Sequence, residues 1–295
     1  MPGDTDATKL DQRLIFKDRY QVERELGRGG MSVVYLAHDL QLLNKRVVVK
    51  VLLDESQKDP YVRSKFQQEL EALVRITHPG VVKALDTGEA SEGRQFLVME
   101  YIDGQTLRQA IKDGPLDFTR AANILRQVGD ALSAVHSKNV CHRDLTPENI
   151  MLAKAARGDE RVTLIDFGIA GVQDSEFTSE KSSHLAGKFS YMSPEQIAGN
   201  AEARTDIFAM GICAYEILTG HKPFPPSLEH LVSPEKCKPQ PPQTLRPDLT
   251  ESAGQAILKA IAFSAQDRYQ SASDFGDAVA NALAFNYTFS CDRSK

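Results

Sequence analysis

The stretch from Cys141 to Gly168, CHRDLTPENIMLAKAARGDERVTLIDFG, constrains the fold more than any other part of the chain. Two short apolar runs, Ile150-Met151-Leu152 and Val162-Thr163-Leu164-Ile165, flank a turn-like segment from Ala155 to Glu160. Short β-branched runs around a polar turn predict a β-hairpin. Asn149 then stands at its entrance and Asp166 at its exit, so both oxygen-bearing side chains return to the same end. Such a pair is suited to share a hard cation such as Mg²⁺, which takes oxygen ligands. Asp144, just upstream, is a candidate base.

With 295 residues the chain can bury a large core, in one domain or two lobes. Its 41% hydrophobic and 25% charged content is that of an ordinary soluble globular protein. A net charge of −5 argues against nucleic acid or a membrane surface as partner, because both favour basic faces. Cys141, Cys213, Cys237 and Cys291 form no CxxC pair, which predicts reduced thiols and a cytoplasmic location. The opening MPGDTDATKLDQR has no apolar core of a signal peptide, and no apolar run reaches the ~20 residues that span a bilayer.

Upstream, Tyr20 to Leu26 and Val33 to Ala37 read as strands around Gly27-Arg28-Gly29-Gly30-Met31-Ser32. A glycine turn between two strands makes a flap whose backbone can lie against phosphates. A dinucleotide fingerprint requires a helix after the glycines, and Val33-Val34-Tyr35 is β-branched and aromatic instead. Arg46 to Leu53 is an apolar strand with Lys50 inside it, and a lysine so placed needs a partner. Two glutamates compete for that role on the helix predicted from Tyr61 to Ile76. Glu69 borders the apolar stripe of Phe66, Leu70 and Leu73. Glu71 lies roughly 200° round the helix from it, so Glu69 faces inward and Glu71 faces solvent. Val81 to Glu89 and Gln95 to Tyr101 read as further strands. After Gly104 the pattern turns helical, with the longest helix over Phe118 to Lys138.

His142-Arg143-Asp144-Leu145, then Asn149, then Asp166-Phe167-Gly168, with a Val-x-Lys strand upstream, resemble the signature of protein kinases. The chain is similar to the eukaryotic-like Ser/Thr protein kinases of bacteria. The resemblance implies an α+β, bilobal fold: a five-stranded antiparallel small lobe with one main helix, and a mainly helical large lobe. The residue pattern itself places a polar, flexible segment at 1–16, a strand-rich lobe at 17–101, a helix-rich lobe at 102–285 and a tail at 286–295. The resemblance implies ATP and Mg²⁺ as cofactors, with Mn²⁺ as an alternative metal, and protein substrates. It further implies Asp144 as the base, Asn149 and Asp166 as metal ligands, and Lys50 on the α- and β-phosphates, held by Glu69. Leu26 and Gly27 to Ser32 form the phosphate flap, with Ser32 in place of the family's third glycine. Val34, Val48, Met99 and Met151 wall the adenine slot, and the backbone of Glu100 and Ile102 bonds the adenine edge. Asp206 braces the catalytic loop and Glu195 pairs with Arg268. Dimerisation through the small lobe is expected from the same group.

One departure stands at the catalytic centre. The family's Ser/Thr members carry lysine two residues after the base, and this chain has Thr146. The family also reads Gly-Thr-x-x-Tyr before its Pro-Glu ending, and this chain reads Gly187-Lys188-Phe189-Ser190-Tyr191. Threonine and lysine have traded places, so Lys188 is expected to reach the γ-phosphate and Asp144 while Thr146 takes the threonine's role. Gly168 to Ser193 is a polar loop with Ser175, Thr178, Ser179, Ser182, Ser183 and Ser190. Autophosphorylation at Thr178 or a neighbouring serine is expected to order it, with Arg143 as a candidate partner of the phosphate. The competing readings are a pseudokinase that binds nucleotide as a scaffold, for which Thr146 speaks, and a small-molecule kinase, against which Glu195, Asp206 and Arg268 speak.

Overall fold

A computed structural model describes residues 14–90, 93–155, 159–167, 189–225, 229–232 and 237–284. The chain forms two compact units, 1–77 with 82–103, and 78–81 with 104–295. The division thus falls after Asp103 rather than after Tyr101, and residues 78–81 join the second unit through a Val81–Leu164 bridge.

The first unit contains strands β1 (Ile15–Phe16), β2 (Tyr20–Arg28), β3 (Ser32–Asp39), β4 (Lys45–Leu52), β5 (Ala84–Glu89) and β6 (Gln95–Glu100), with helices α1 (Asp54–Gln57) and α2 (Pro60–Arg75). They make one antiparallel sheet in the order β1-β2-β3-β4-β6-β5. Its register sorts the residues onto two faces, because cross-strand partners point the same way. Val34 pairs with Lys50, Val48 with Met99, and Lys50 with Leu97, so these residues share one face. The opposite face carries Val33, Tyr35, Val47, Val49, Val51, Phe96 and Val98, which pack into one cluster with Phe16 and Tyr20. Helix α2 starts at a sharp signal: Asp59 accepts the Tyr61 N–H and Pro60 occupies the first turn. Its buried residues Val62, Phe66, Glu69, Leu73 and Ile76 follow a 3–4 spacing. Glu69 is therefore in the buried stripe itself.

The sheet has six strands, not the five expected, and the added strand takes Ile15 and Phe16 out of the segment 1–16 that the sequence reads as flexible. Ile15 and Phe16 pair with Gln21 and Tyr20 across a tight turn in which Lys17 and Asp18 take φ of 51° and 50°. Phe16 is only 2% exposed, with its ring 5.2 Å from that of Phe96. The turn is fastened by Lys17 to Asp86 at 3.1 Å and by the Tyr20 hydroxyl to Asp86 at 2.8 Å.

The second unit is built around helix α6 (Ala203–Thr219), in which every residue from Thr205 to Thr219 is buried. Before it come β7 (Gly104–Thr106), α3 (Leu107–Ala110), α4 (Phe118–His136), β8 (Ile150–Lys154), β9 (Glu160–Leu164) and α5 (Pro194–Ile197). After it come α7 (Glu229–Val232), α8 (Pro242–Leu245), α9 (Glu251–Ala260) and α10 (Ala272–Ala284). Among the described residues, the proline-rich segment 223–247 holds the two short helices α7 and α8. Helices α4 and α10 approach closely at glycines: a Cβ on Gly129 would stand 2.6 Å from the Ala272 carbonyl oxygen, and one on Gly276 would stand 2.9 Å from that of Leu125. Arg268, with a side chain 0% exposed, donates to Glu195 at 2.7 and 3.0 Å and to the carbonyls of Ala262, Phe263 and Arg204. Burial raises the Glu195 carboxyl, but the hydrogen bond and charge of Arg268 outweigh it and hold the group below its usual range.

Two outcomes follow from this packing. Phe16→Ala lowers the unfolding free energy by about 3–5 kcal/mol in denaturant titrations, whereas a loose amino-terminal segment would make it silent. Glu195→Gln leaves a buried guanidinium short of its counter-charge and costs about 3–5 kcal/mol at neutral pH. Because the folded carboxyl titrates below its unfolded value of about 4.3, that deficit is full above the unfolded value and closes as pH falls through the folded one. Paired melts at neutral and acidic pH measure the closure.

Candidate active site

In the first unit, Lys50 of β4 donates to both oxygens of Glu69 on α2 at 2.8 Å, with both residues buried. The lysine on an apolar strand has the helix glutamate as its partner. Glu71 is exposed beside Arg75 at 3.9 Å. Val34, Val48 and Met99 share the face of Lys50, and Met99 is 7% exposed. At the end of β6, Glu100 donates its N–H to the Lys83 carbonyl at 3.0 Å and its carboxylate accepts the Lys83 N–H. Ile102 follows with a buried side chain.

The glycine turn joins β2 to β3. Gly27 pairs with Val34 and Arg28 with Val33, and the Gly29 N–H donates to the Ser32 carbonyl at 2.8 Å. Leu26 is 40% exposed, and the Met31 carbonyl accepts from the Leu53 N–H. A Cβ on Gly27 would meet nothing within 4 Å, and one on Gly29 only the Ser32 carbonyl oxygen at 3.7 Å. Neither glycine has a positive φ. The chain's own packing therefore does not demand glycine here. The bare backbone fits close approach by an outside group such as a phosphate.

In the second unit, Asp206 at the start of α6 holds the turn that carries Asp144. Its carboxylate accepts the N–H of His142 at 2.7 Å and of Arg143 at 2.8 Å, and a bond from His136 at 2.8 Å. Burial raises this carboxyl, but the His136 bond and the surrounding donors keep it below its usual range. Arg143 takes φ of 63°, in the left-handed region. The His142 Nδ1 accepts the Asp144 N–H at 3.4 Å, so Nε2 carries the proton it shares with the Ile165 carbonyl at 3.1 Å. Complete burial lowers the pKa of this imidazole and keeps it neutral, and its ring lies 4.6 Å from that of Phe167.

A 3₁₀ turn over Pro147–Asn149 delivers Asn149 to the hairpin. The Asn149 amide nitrogen donates to the Asp144 carbonyl at 2.7 Å and carboxylate at 3.2 Å, so its Oδ1 takes neither bond. Ile150 pairs with Leu164, the Ile165 N–H reaches the Asn149 carbonyl at 3.0 Å, and Asp166 follows with φ of 55°. Asn149 and Asp166 thus return to one end of the hairpin, as the spacing predicts. Met151 of β8 pairs with Thr106 and Thr163. Among the described residues no three His, Cys, Asp or Glu side chains cluster for a metal. One carboxylate and one amide oxygen give the partial shell that suits Mg²⁺ held jointly with phosphates.

Thr146 is buried, and its carbonyl accepts the Asn149 N–H at 3.0 Å. Lys188 lies outside the described residues, as do Ser175, Thr178, Ser179, Ser182 and Ser183. Ser190 does not fit the reading of an available loop hydroxyl: it is 0% exposed, and its Oγ has no partner among the described residues. The buried Arg143 Nε is likewise without a partner there. The Cys141 thiol is pushed up to about 11 by burial and then by Asp206, which makes it unreactive.

The sequence reading missed a polar cluster centred on Arg108. Its guanidinium donates to Glu148 at 2.8 Å, to Glu216 at 2.7 and 3.2 Å, and to the Tyr191 hydroxyl at 2.6 Å. Tyr191 itself donates to Glu216, and Lys222 lies 4.5 Å over its ring. The signal was present in Glu216, a lone charge inside the apolar run Met210 to Leu218, which required a buried partner as Lys50 did.

Comparison with known proteins matches residues 20–271 to the protein kinase domain family. The serine/threonine-protein kinase PknB of Mycolicibacterium smegmatis is 37% identical over 265 residues, covering 87% of this chain and 42% of that protein. The probable serine/threonine-protein kinase PknB of Lactococcus lactis is 34% identical over 276 residues, covering 92% of this chain and 43% of its own length. The chain therefore spans less than half the length of these relatives. The crystal structure of the Mycobacterium tuberculosis PknI kinase domain superposes with a TM-score of 0.72 at 29% identity, covering 92% of this chain and 98% of that one. With the paired lysine and glutamate, the braced turn and the hairpin all in place, the chain belongs to the protein kinase domain family.

Proposed function

We propose that the chain is an ATP-dependent protein kinase that transfers the γ-phosphate to Ser and Thr hydroxyls of proteins. The observation that carries this reading is the Asn149–Asp144 bond closing the turn beside Asp166, which sets a base and two oxygen ligands in fixed relation. Asp144 orients the substrate hydroxyl and takes its proton. Asn149 Oδ1 and Asp166 hold the divalent metal, Mg²⁺ or Mn²⁺, whose charge offsets that of the phosphates. Lys50, fixed by Glu69, engages the α- and β-phosphates. The backbone of Gly27 to Ser32 covers them and keeps water away. Val34, Val48, Met99 and Met151 line the adenine slot, and the Glu100 and Ile102 backbone reads its edge. Specificity for Ser and Thr rests on the likeness to PknB proteins.

Lys188 supplies the cation that Thr146 cannot, and phosphorylation of Thr178 or a neighbouring serine orders the segment that carries it. The chain acts in the cytoplasm and pairs through its small lobe; among the described residues no helix is long and apolar enough to cross a membrane.

Asp144→Asn is expected to lower kcat by about 10²–10⁴-fold while a thermal-shift titration still shows ATP–Mg²⁺ binding. Full activity in this variant overturns the assignment, and nucleotide binding without transfer in the wild-type chain favours the scaffold reading. Phosphoamino-acid analysis of the product settles the acceptor. For the exchanged pair, Lys188→Met abolishes most phosphotransfer, and Thr146→Lys with Lys188→Thr restores it. Undiminished activity in Lys188→Met removes that lysine from the mechanism.

A further inference from the structure

Arg108 is not among the residues assigned to nucleotide, metal or base, yet its guanidinium holds two carboxylates and a phenol. It projects from α3, whose N-terminus is fixed by the reciprocal Thr106–Gln109 capping bonds. Thr106 in turn pairs with Met151 on β8, two residues after Asn149. The side chain then spans three pieces of chain. Nε meets Glu148 in the 3₁₀ turn, both Nη atoms meet Glu216 on the buried helix α6, and Nη2 meets the hydroxyl of Tyr191. Glu216 is 8% exposed at its side chain and has its second oxygen on Tyr191. Glu148 is the more exposed partner, with a side chain 54% exposed, and it stands between Thr146 and Asn149. Glu148 also follows Thr146, the residue that replaces the family's lysine, by two positions in the same turn.

We propose that Arg108 is a positioning residue for phosphoryl transfer, setting the Thr146–Asn149 turn and the Tyr191 segment on α6 with one guanidinium. The inference deepens the kinase reading and rests on it for the chemistry, but not for the geometry. The fork geometry is essential. A guanidinium presents rigid, diverging donors that reach two carboxylates and a phenol at once, whereas an ammonium is a single point of donation. With Arg108 absent, Glu148 is free to turn to solvent. The Asn149 amide then loses the support that keeps it on Asp144, and Tyr191 loses one of its two polar partners, three residues after Lys188.

The test compares Arg108→Ala, Arg108→Lys, Glu148→Gln and the Arg108→Ala/Glu148→Gln pair in the full chain, by steady-state kinetics and by hydrogen exchange. Arg108→Ala is expected to lower kcat about 10- to 100-fold with the KM for ATP changed by less than about twofold. The amides of Leu145, Thr146, Glu148 and Asn149 and of 191–192 should exchange faster in it. Arg108→Lys should recover the melting temperature without recovering kcat. The losses in kcat from Arg108→Ala and Glu148→Gln should be non-additive, because both act through one contact. If Arg108→Ala does not fold, Tyr191→Phe and Glu148→Gln each remove one arm and are read the same way. Unchanged exchange in both segments, or Arg108→Lys recovering kcat together with stability, overturns the proposal. A wild-type chain that transfers no phosphate defeats the kinase reading alone, since exchange still decides whether Arg108 sets the turn.

Discussion

A single buried carboxylate fixes the part of the molecule on which the chemistry depends. Asp206 lies on a helix that is itself core, and it accepts two consecutive backbone N–H groups from the turn before Asp144. Those donors sit where the chain passes through a left-handed residue, Arg143, which no helix or sheet ladder would serve. Left unpaired and buried, each would cost on the order of 1–3 kcal/mol. The carboxylate makes the strained turn the stable one. His142 then follows, buried and neutral, donating one way and accepting the other, so that it links the turn to the hairpin end at Ile165. The path from α6 through the Asp144 turn to the hairpin end is a run of hydrogen bonds around a buried imidazole.

Much of this was legible in the sequence because the relevant signals are periodic or punctuated. The 3–4 spacing around Phe66 and Leu73 chose Glu69 over Glu71, and the structure puts Glu69 on Lys50. The two apolar runs of the hairpin gave its register, hence the return of Asn149 and Asp166 to one end. The pairing of Glu195 with Arg268 was read from resemblance, and the structure shows why it is needed: an arginine with no exposure must have its charge met.

What was not legible has physical reasons too. A two-residue strand such as Ile15–Phe16 is too short to show alternation, and its polar flanks give it the look of a frayed end. Only the burial of Phe16 against Phe96 reveals it. The Arg108 cluster joins four elements far apart in sequence, so no local pattern encodes it. Ser190 reads as one more hydroxyl in a polar loop, and only the fold shows it to be enclosed.

The two faces of β4 carry a further consequence. Along this strand Val47, Val49 and Val51 enter the apolar cluster while Val48 and Lys50 take the other side. Side chains alternate with a period of two, so a slip of one residue would exchange the sets and drive an ammonium into the cluster. The valines alone would accept either register, since they occupy both parities. Lys50 is what tells the two apart. The residue proposed to grip the phosphates is thus also the one whose burial cost separates the native register of β4 from its one-residue slip.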